Sequence, residues 1–446
     1  MALRAAAQQE TAPANAEKFL GQGQRVAGSP PLMTVLRPVL PLILGASIFM
    51  FGHSVLNLAT ALKLDQAGIS ASSIGLVQSA FFLGFLVGCL LIKKLIRRVS
   101  HIRAYAVFGA MAITSVLVQA LVFDPFVWIL CRIAYGVAMA GFTTAIESWL
   151  NDRTDNATRG RVLTFYMASY YFMVGLGQIS INLFDLAGIA VLVFAGLALA
   201  LSLQPVLLTN LEQPEVKSAK PMSVFALYKV SPLAVVGAIG AGLLQSGLNA
   251  MAPIFATQIG YSLFQVSLFT GALVVGPFLL LWMVGRLSDS LGRRRALSVV
   301  LTLLTIIAVA IYSLHWLEPH FLIMVAMALL LGGGSASVYP NSIAHAYDQL
   351  PKESYVAAST SLLICFSSGA ILGPSLASWV MAWFGPHALF LYSASFAALL
   401  LIFIVYRWRV RPEVPVVSKE AFVPVAPTSR LAPQLDPRRL RARDKH

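Results

Sequence analysis

Two polar side chains sit four residues apart in an otherwise apolar stretch, His53 and Asn57, and that spacing places them on one face of a helix. A histidine changes charge near physiological pH, so at that position it can carry a proton. A second apolar stretch holds Arg132, about six residues from its nearer end and hence ~9 Å deep, while His53 lies ~12 Å deep. An arginine at such depth is costly unless paired or hydrated, and its default role is to bind an anion or to couple one movement to another. The acidic inventory is thin: of the 18 Asp and Glu, Glu147 falls within such a stretch, near its opposite end. An ion pair of Glu147 with Arg159 or Arg161 is the simplest role for it, and a part in coupling the alternative.

No phosphate-cradling G-x-x-x-x-G-K-[ST] loop, H-E-x-x-H zinc helix or G-x-S-x-G elbow occurs, so an ATP-driven pump and the hydrolases those motifs mark are not expected. Nothing points to a catalytic residue, a metal site or a cofactor. Cys89, Cys131 and Cys365 fall inside apolar stretches and read as small core residues.

The elements that must hold these groups follow from composition. The 446 residues are 58% hydrophobic and 11% charged, far from the quarter or so charged in soluble domains. Twelve stretches of roughly 20 apolar residues, each long enough to span ~30 Å of hydrocarbon, lie at 38–61, 72–93, 104–123, 126–148, 163–184, 187–208, 232–254, 264–285, 296–315, 320–342, 356–383 and 386–407. The expectation is an all-α membrane protein of twelve spans in two six-helix bundles. Residues 1–34 read as a disordered tail without a removable signal, 35–208 as the first bundle, 209–231 as a cytoplasmic linker, 232–408 as the second bundle and 409–446 as a basic, Pro-rich tail.

The formal charge of +14 has a simple origin. With the N-terminus and every second loop assigned to the cytoplasm, all 32 Lys and Arg fall on that side except Lys63, placed in an outer loop, and Arg132. The positive-inside rule then sets both termini in the cytoplasm, and the charge speaks for orientation and anionic lipid rather than nucleic acid.

The chain also repeats itself. At an offset of 192 residues, 53–70 lies over 245–262 and pairs Ser54 with Ser246, Asn57 with Asn249, Gln66 with Gln258, Gly68 with Gly260 and Ser70 with Ser262. The same offset sets Gly84 on Gly276, Leu95 on Leu287, Arg103 on Arg295 and Gly141 on Gly333. Such repeats are common in transporter folds, with a site between the halves near mid-membrane.

After the eighth stretch comes "GRLSDSLGRRRAL" (285–297), which resembles the G-x-L-x-D-x-x-G-R-R loop of the major facilitator superfamily at Gly285, Leu287, Asp289, Gly292, Arg293 and Arg294. The resemblance implies a gating latch between the bundles. The first-half counterpart, "KKLIRRVSHIR", has Lys93 and Arg97 where Gly285 and Asp289 stand. "RIAYGVAMAG" (132–141) resembles the fourth-helix pattern of the superfamily, and "ESWLNDRTDNATRGR" (147–161) is similar to its YcaD-like bacterial branch. The resemblance further implies that helices 1, 4, 7 and 10 line a central cavity, which would gather His53, Asn57, Arg132, Gln245 and Asn249.

Pro253, Pro277, "GGGSASVYPN" (332–341) and "GAILGP" (369–374) are expected hinge points. The fifth stretch has "GLGQ" and no Pro, a departure from the drug/proton antiporters. The function expected is a secondary carrier for a small organic solute, ion- or proton-coupled, monomeric and in the inner membrane. An amphiphile exporter and a non-transporting membrane sensor on a carrier fold are the alternatives.

Overall fold

The computed structural model describes residues 32–154, 158–209, 222–317 and 319–410. The two tails, most of the linker between the halves and the side chains of Lys93 and Arg97 lie outside the described residues or side chains. Twelve helices are long and apolar enough to cross a membrane. They are α1 (Leu40–Gln66), α2 (Ala71–Val99), α3 (His101–Leu121), α4 (Pro125–Asp152), α5 (Arg159–Ser180) and α6 (Ala190–Leu207), then α7 (Pro232–Gln258), α8 (Leu263–Leu291), α9 (Arg293–Leu314), α10 (Phe321–Tyr347), α11 (Tyr355–Phe384) and α12 (Ala388–Val410). An even number of crossings leaves the first and last helices opening and closing on one face, here the terminal face; the opposite one is the distal face.

Helices overrun the apolar stretches where polar residues can still complete a helical turn. The first continues to Gln66, which corrects the expected position of Lys63: it is a buried helical residue rather than a loop residue. Its Nζ donates to the carbonyls of Leu186 (2.7 Å) and Gly188 (2.9 Å) between α5 and α6, so the distal end of α1 fastens that connection. Helices α7, α8, α10 and α11 run through Pro253, Pro277, Pro340 and Pro374 without a break in assignment.

Packing repeats along with the sequence. α2 packs on α4 as α8 does on α10, and α1 on α5 as α7 does on α11. The chain leaves α1 through Gly68 (φ +72°) and α7 through Gly260 (φ +86°), a left-handed conformation in which a side chain is strained. Ser70 and Ser262 then cap α2 and α8 by accepting from the backbone N–H three residues on. At the α2–α4 crossing, a Cβ on Gly84 would meet the Ile133 carbonyl and one on Gly136 the Phe81 carbonyl; at α8–α10, Gly276 meets Leu329 and Gly332 meets Leu273 in the same way. These contacts pair Gly136 with Gly332, an offset of 196, and correct the expected pairing of Gly141 with Gly333. One helical turn enters between the third spans and their partners, so the counterpart of Arg132 is Ala328.

The connection between α2 and α3 keeps the backbone of its better-preserved copy. Gly292 joins α8 to α9 at φ 92°, ψ 155°, and Ser100, 192 residues earlier, joins α2 to α3 at φ 76°, ψ 163°.

Candidate functional site

A cavity of about 190 Å³ lies between the halves. α1 brings His53, Ser54 and Asn57 to it, α2 Gln78 and Phe81, α4 Arg132 and Met139, α5 Tyr170 and Gln178. From the second half come Gln245 and Asn249 of α7, Thr270 of α8 and Phe366 of α11. Five sequence candidates thus meet in one place. The expected contribution of helix 10 is replaced, among the described lining residues, by α2, α5, α8 and α11.

Arg132 organises the polar wall. Its side chain is 2% exposed, and its Nη2 donates to Asn57 Oδ1 (2.7 Å) and Gln78 Oε1 (2.8 Å). The guanidinium carbon lies 5.0 Å from the centre of the Phe81 ring. Asn57 Nδ2 approaches His53 Nε2 at 2.8 Å, and His53 Nδ1 lies 3.1 Å from the Tyr135 hydroxyl. Arg132 Nε and Nη1 are buried without a hydrogen-bond partner, as is Gln245 Oε1. None of the described lining residues is Asp, Glu or Lys. Three of the five N–H donors of this buried guanidinium are thus unpaired, with no carboxylate among the described lining residues.

A second polar chain crosses between the halves: Gln178 Nε2 donates to Ser54 Oγ (3.0 Å), and Thr270 Oγ1 donates to Gln178 Oε1 (2.9 Å). Further out, Ser79 Oγ meets Ser375 Oγ at 2.8 Å, Asn182 donates to Ser267 (2.9 Å) and Thr257 donates to Asp65 (2.6 Å). Asp65 and Thr257 are themselves 192 residues apart, so the pair sits at the repeat's axis. All four cross-half bonds lie in the distal half of their helices, which closes the cavity at that end.

Gln78, Tyr135, Gln178 and Thr270 escaped the sequence reading. The offset of 192 sets Gln78 on Thr270, two polar residues inside apolar stretches, and that was the signal available for them. Glu147 is buried, but at fifteen residues from Arg132 along α4 it lies ~22 Å away and outside the cavity lining, within electrostatic reach of Tyr166 and Tyr170.

Of the loop residues, Gly285 is buried in α8 and Gly292 is the positive-φ link. Arg293, 1% exposed, donates to Asp289 (2.7 Å) and Ser288 (3.1 Å) of α8 and to Asp348 (3.3 Å) after α10. Arg294 is buried beside it. These bonds tie the α8–α9 link to the end of α10 within the second half. Cys89, Cys131 and Cys365 are buried and none of them forms a disulfide.

Two pseudo-equivalent six-helix units around a largely apolar cavity with one polar wall, closed at one end, define a solute-carrier architecture. The chain belongs to the Major Facilitator Superfamily, whose family profile it matches over residues 42–317 and 234–440, and is thus a multi-pass membrane protein of a transporter family. It is similar to the uncharacterized MFS-type transporter YcaD of Shigella flexneri serotype 5b, with 28% identity over 376 residues, 84% of this chain and 96% of the relative. Among solved structures it resembles the nucleoside transporter NupG (TM-score 0.67, 14% identity, covering 84% of this chain and 100% of that one). It also resembles a bacterial homologue of the human lysosomal transporter Spinster in an inward-facing, occupied conformation (TM-score 0.66, 14% identity, covering 88% and 100%).

Proposed function

We propose that this transporter is a secondary carrier that moves a small organic solute bearing an anionic or electron-rich group, held by Arg132 and released by alternating access of the two halves. The observation that carries the reading is the unpaired Nε and Nη1 of Arg132, three N–H donors in all, beside a cavity whose described lining contains no acidic side chain. Nε–H and the Nη1 hydrogens point to different edges of the guanidinium, so each needs its own acceptor oxygen, which an anionic or carbonyl-rich solute supplies. On the opposite half Gln245 Oε1 asks for a donor, so an N–H or O–H elsewhere on the solute suits both walls. A cationic amine finds no counter-charge there. The volume of about 190 Å³ favours a compact solute over a long-chain amphiphile.

The remaining expectations are part of the same reading. On the positive-inside rule we read the terminal face as the cytoplasmic side of a bacterial inner membrane, and we keep the two bundles at residues 35–208 and 232–408 and a monomeric protomer as further parts of the proposal. The state with the distal face closed is then inward-facing.

The test is a thermal-shift screen of purified protein against a metabolite panel, repeated on Arg132→Gln. A ligand that binds the folded state at about 100 times its Kd raises stability by about 2.7 kcal/mol. Anionic solutes are expected to stabilise the wild type and not the variant, and to exchange across proteoliposome membranes in counterflow. Stabilisation without counterflow would identify a sensor on a carrier fold.

A further inference from the structure

The hydrogen bonds around Asn57 fix the protonation state of His53 by elimination. A guanidinium only donates, so the atom of Asn57 that faces Arg132 must be the carbonyl oxygen, and the 2.7 Å contact to Oδ1 agrees. The amide nitrogen is thereby turned to His53, where it donates to Nε2 at 2.8 Å. Nε2 is then an acceptor without a proton. A neutral imidazole carries its proton on the other nitrogen, so Nδ1–H donates to the Tyr135 hydroxyl at 3.1 Å. Arg132, Asn57, His53 and Tyr135 form one chain of donors and acceptors with its polarity set by the arginine.

We propose that His53 is the proton site of the carrier and Asn57 the relay that couples it to the solute at Arg132, so that proton and anion bind together. A proton from solvent that joins Nε2 places N–H against N–H, and the contact survives only if the Asn57 amide turns by half a rotation. That turn presents Oδ1 to His53 and takes it from Arg132, which keeps Gln78 Oε1 as its acceptor at Nη2. The guanidinium then has a further unmade bond in addition to Nε and Nη1, and a second cation stands next to it. An anionic solute at Arg132 answers both changes.

The surroundings leave little else to do so. The titratable and charged groups facing His53 are Arg132 and Tyr135 of α4, with Tyr170 and Tyr171 of α5 on the same cavity; α2, α7, α8 and α11 present amides, hydroxyls and apolar groups. Coupling of two ligands is reciprocal: what the proton does for the anion, the anion does for the proton. The expected outcome is symport of one proton with each monoanion.

The inference rests on the anion reading of the cavity, and benzoate with its neutral isostere benzamide separates the two. Calorimetric titration with benzoate from about pH 5.5 to 8, where benzoate stays ionised, is run in two buffers of different ionisation enthalpy. At the upper end about one proton is taken up per benzoate, and affinity rises about tenfold for each pH unit lowered, until His53 is protonated in the free protein. His53→Gln is expected to bind with one affinity across the range and without proton uptake. A wild-type affinity flat in pH, or a slope that persists in His53→Gln, overturns the coupling and leaves the anion site standing. Binding of benzamide in place of benzoate, or of neither, removes the anion reading and the coupling with it. Nitrogen-15 NMR of the ligand-free protein, with His53 assigned by difference from His53→Gln, is expected to show a neutral Nδ1–H ring near pH 7.5; an Nε2–H ring overturns the relay whatever the calorimetry gives.

Discussion

At the scale of single residues, the site turns on an imbalance of donors and acceptors. Arg132 meets two side-chain oxygens and leaves three N–H donors, on Nε and Nη1, unpaired, and no carboxylate among the described lining residues offsets its charge. Asn57→Asp supplies that carboxylate in nearly the same volume, 2.7 Å from Nη2 in the present geometry. The expected result is an internal ion pair that raises Tm and weakens benzoate binding at least about tenfold, since the ligand must now compete with a resident anion. Arg132→Lys keeps the charge but gives up the planar fork. A loss of about ten- to a hundredfold in affinity for benzoate is expected from it, with a smaller loss for a neutral carbonyl, because an ammonium cannot hold Asn57, Gln78 and a solute oxygen in the fixed directions of the guanidinium. Equal losses for both ligands, measured by calorimetry, would mean that the fork is not what the solute meets.

At the scale of elements, the apolar stretches in the sequence located all twelve helices because lipid demands about 20 consecutive apolar residues and little else in this chain supplies them. Their ends were less legible, since α1, α2 and α8 continue past the apolar region and hydropathy is blind to that continuation. That is how Lys63 came to be read as a loop residue. His53, Asn57 and Arg132 stood out by type and depth, and Gln245 and Asn249 by repetition; Gln78 and Gln178 did not, because an uncharged amide is not costly enough in a helix to mark itself. The repeat register slipped by one turn before the fourth and tenth helices, which gap-free comparison cannot detect. What repetition does expose is the α2–α3 link, where Ser100 holds a backbone that Gly292 adopts freely. Such a conformation costs a non-glycine residue about 1–3 kcal/mol. Ser100→Gly is therefore expected to stabilise the protein by about 1 kcal/mol, read as a higher Tm in detergent. At the repeat-related α8–α9 link, Asp348→Asn, just after α10, removes one of the carboxylates that meet buried Arg293 and is expected to cost about 1–3 kcal/mol. An unchanged Tm in that variant would mean that Asp289 suffices.

At the scale of the molecule, two halves built alike are joined by bonds in their distal ends, and transport on the reading proposed here requires those bonds to break and re-form once per cycle. The contacts suit that use: Ser79 with Ser375, Gln178 with Thr270 and Asn182 with Ser267 are neutral pairs, each of a size that thermal motion and ligand binding can offset. Gly75 lets α2 reach α11, for a Cβ there would collide with the Ser378 side chain and crowd the Pro374 carbonyl. Ser79→Cys with Ser375→Cys replaces the 2.8 Å hydroxyl contact with a position for a disulfide. Oxidised, this double variant is held closed at the distal face. It is expected to bind benzoate from the terminal face while counterflow in proteoliposomes falls to background, and reduction is expected to restore flux. Gly75→Val should do the reverse by holding the distal ends apart. Its signature is greater labelling of a cysteine placed at Asn249 by a reagent supplied from the distal side. If the oxidised double cysteine variant transports at the wild-type rate, the distal bonds are not the moving gate, and the cavity must empty by a route that leaves α2 and α11 together.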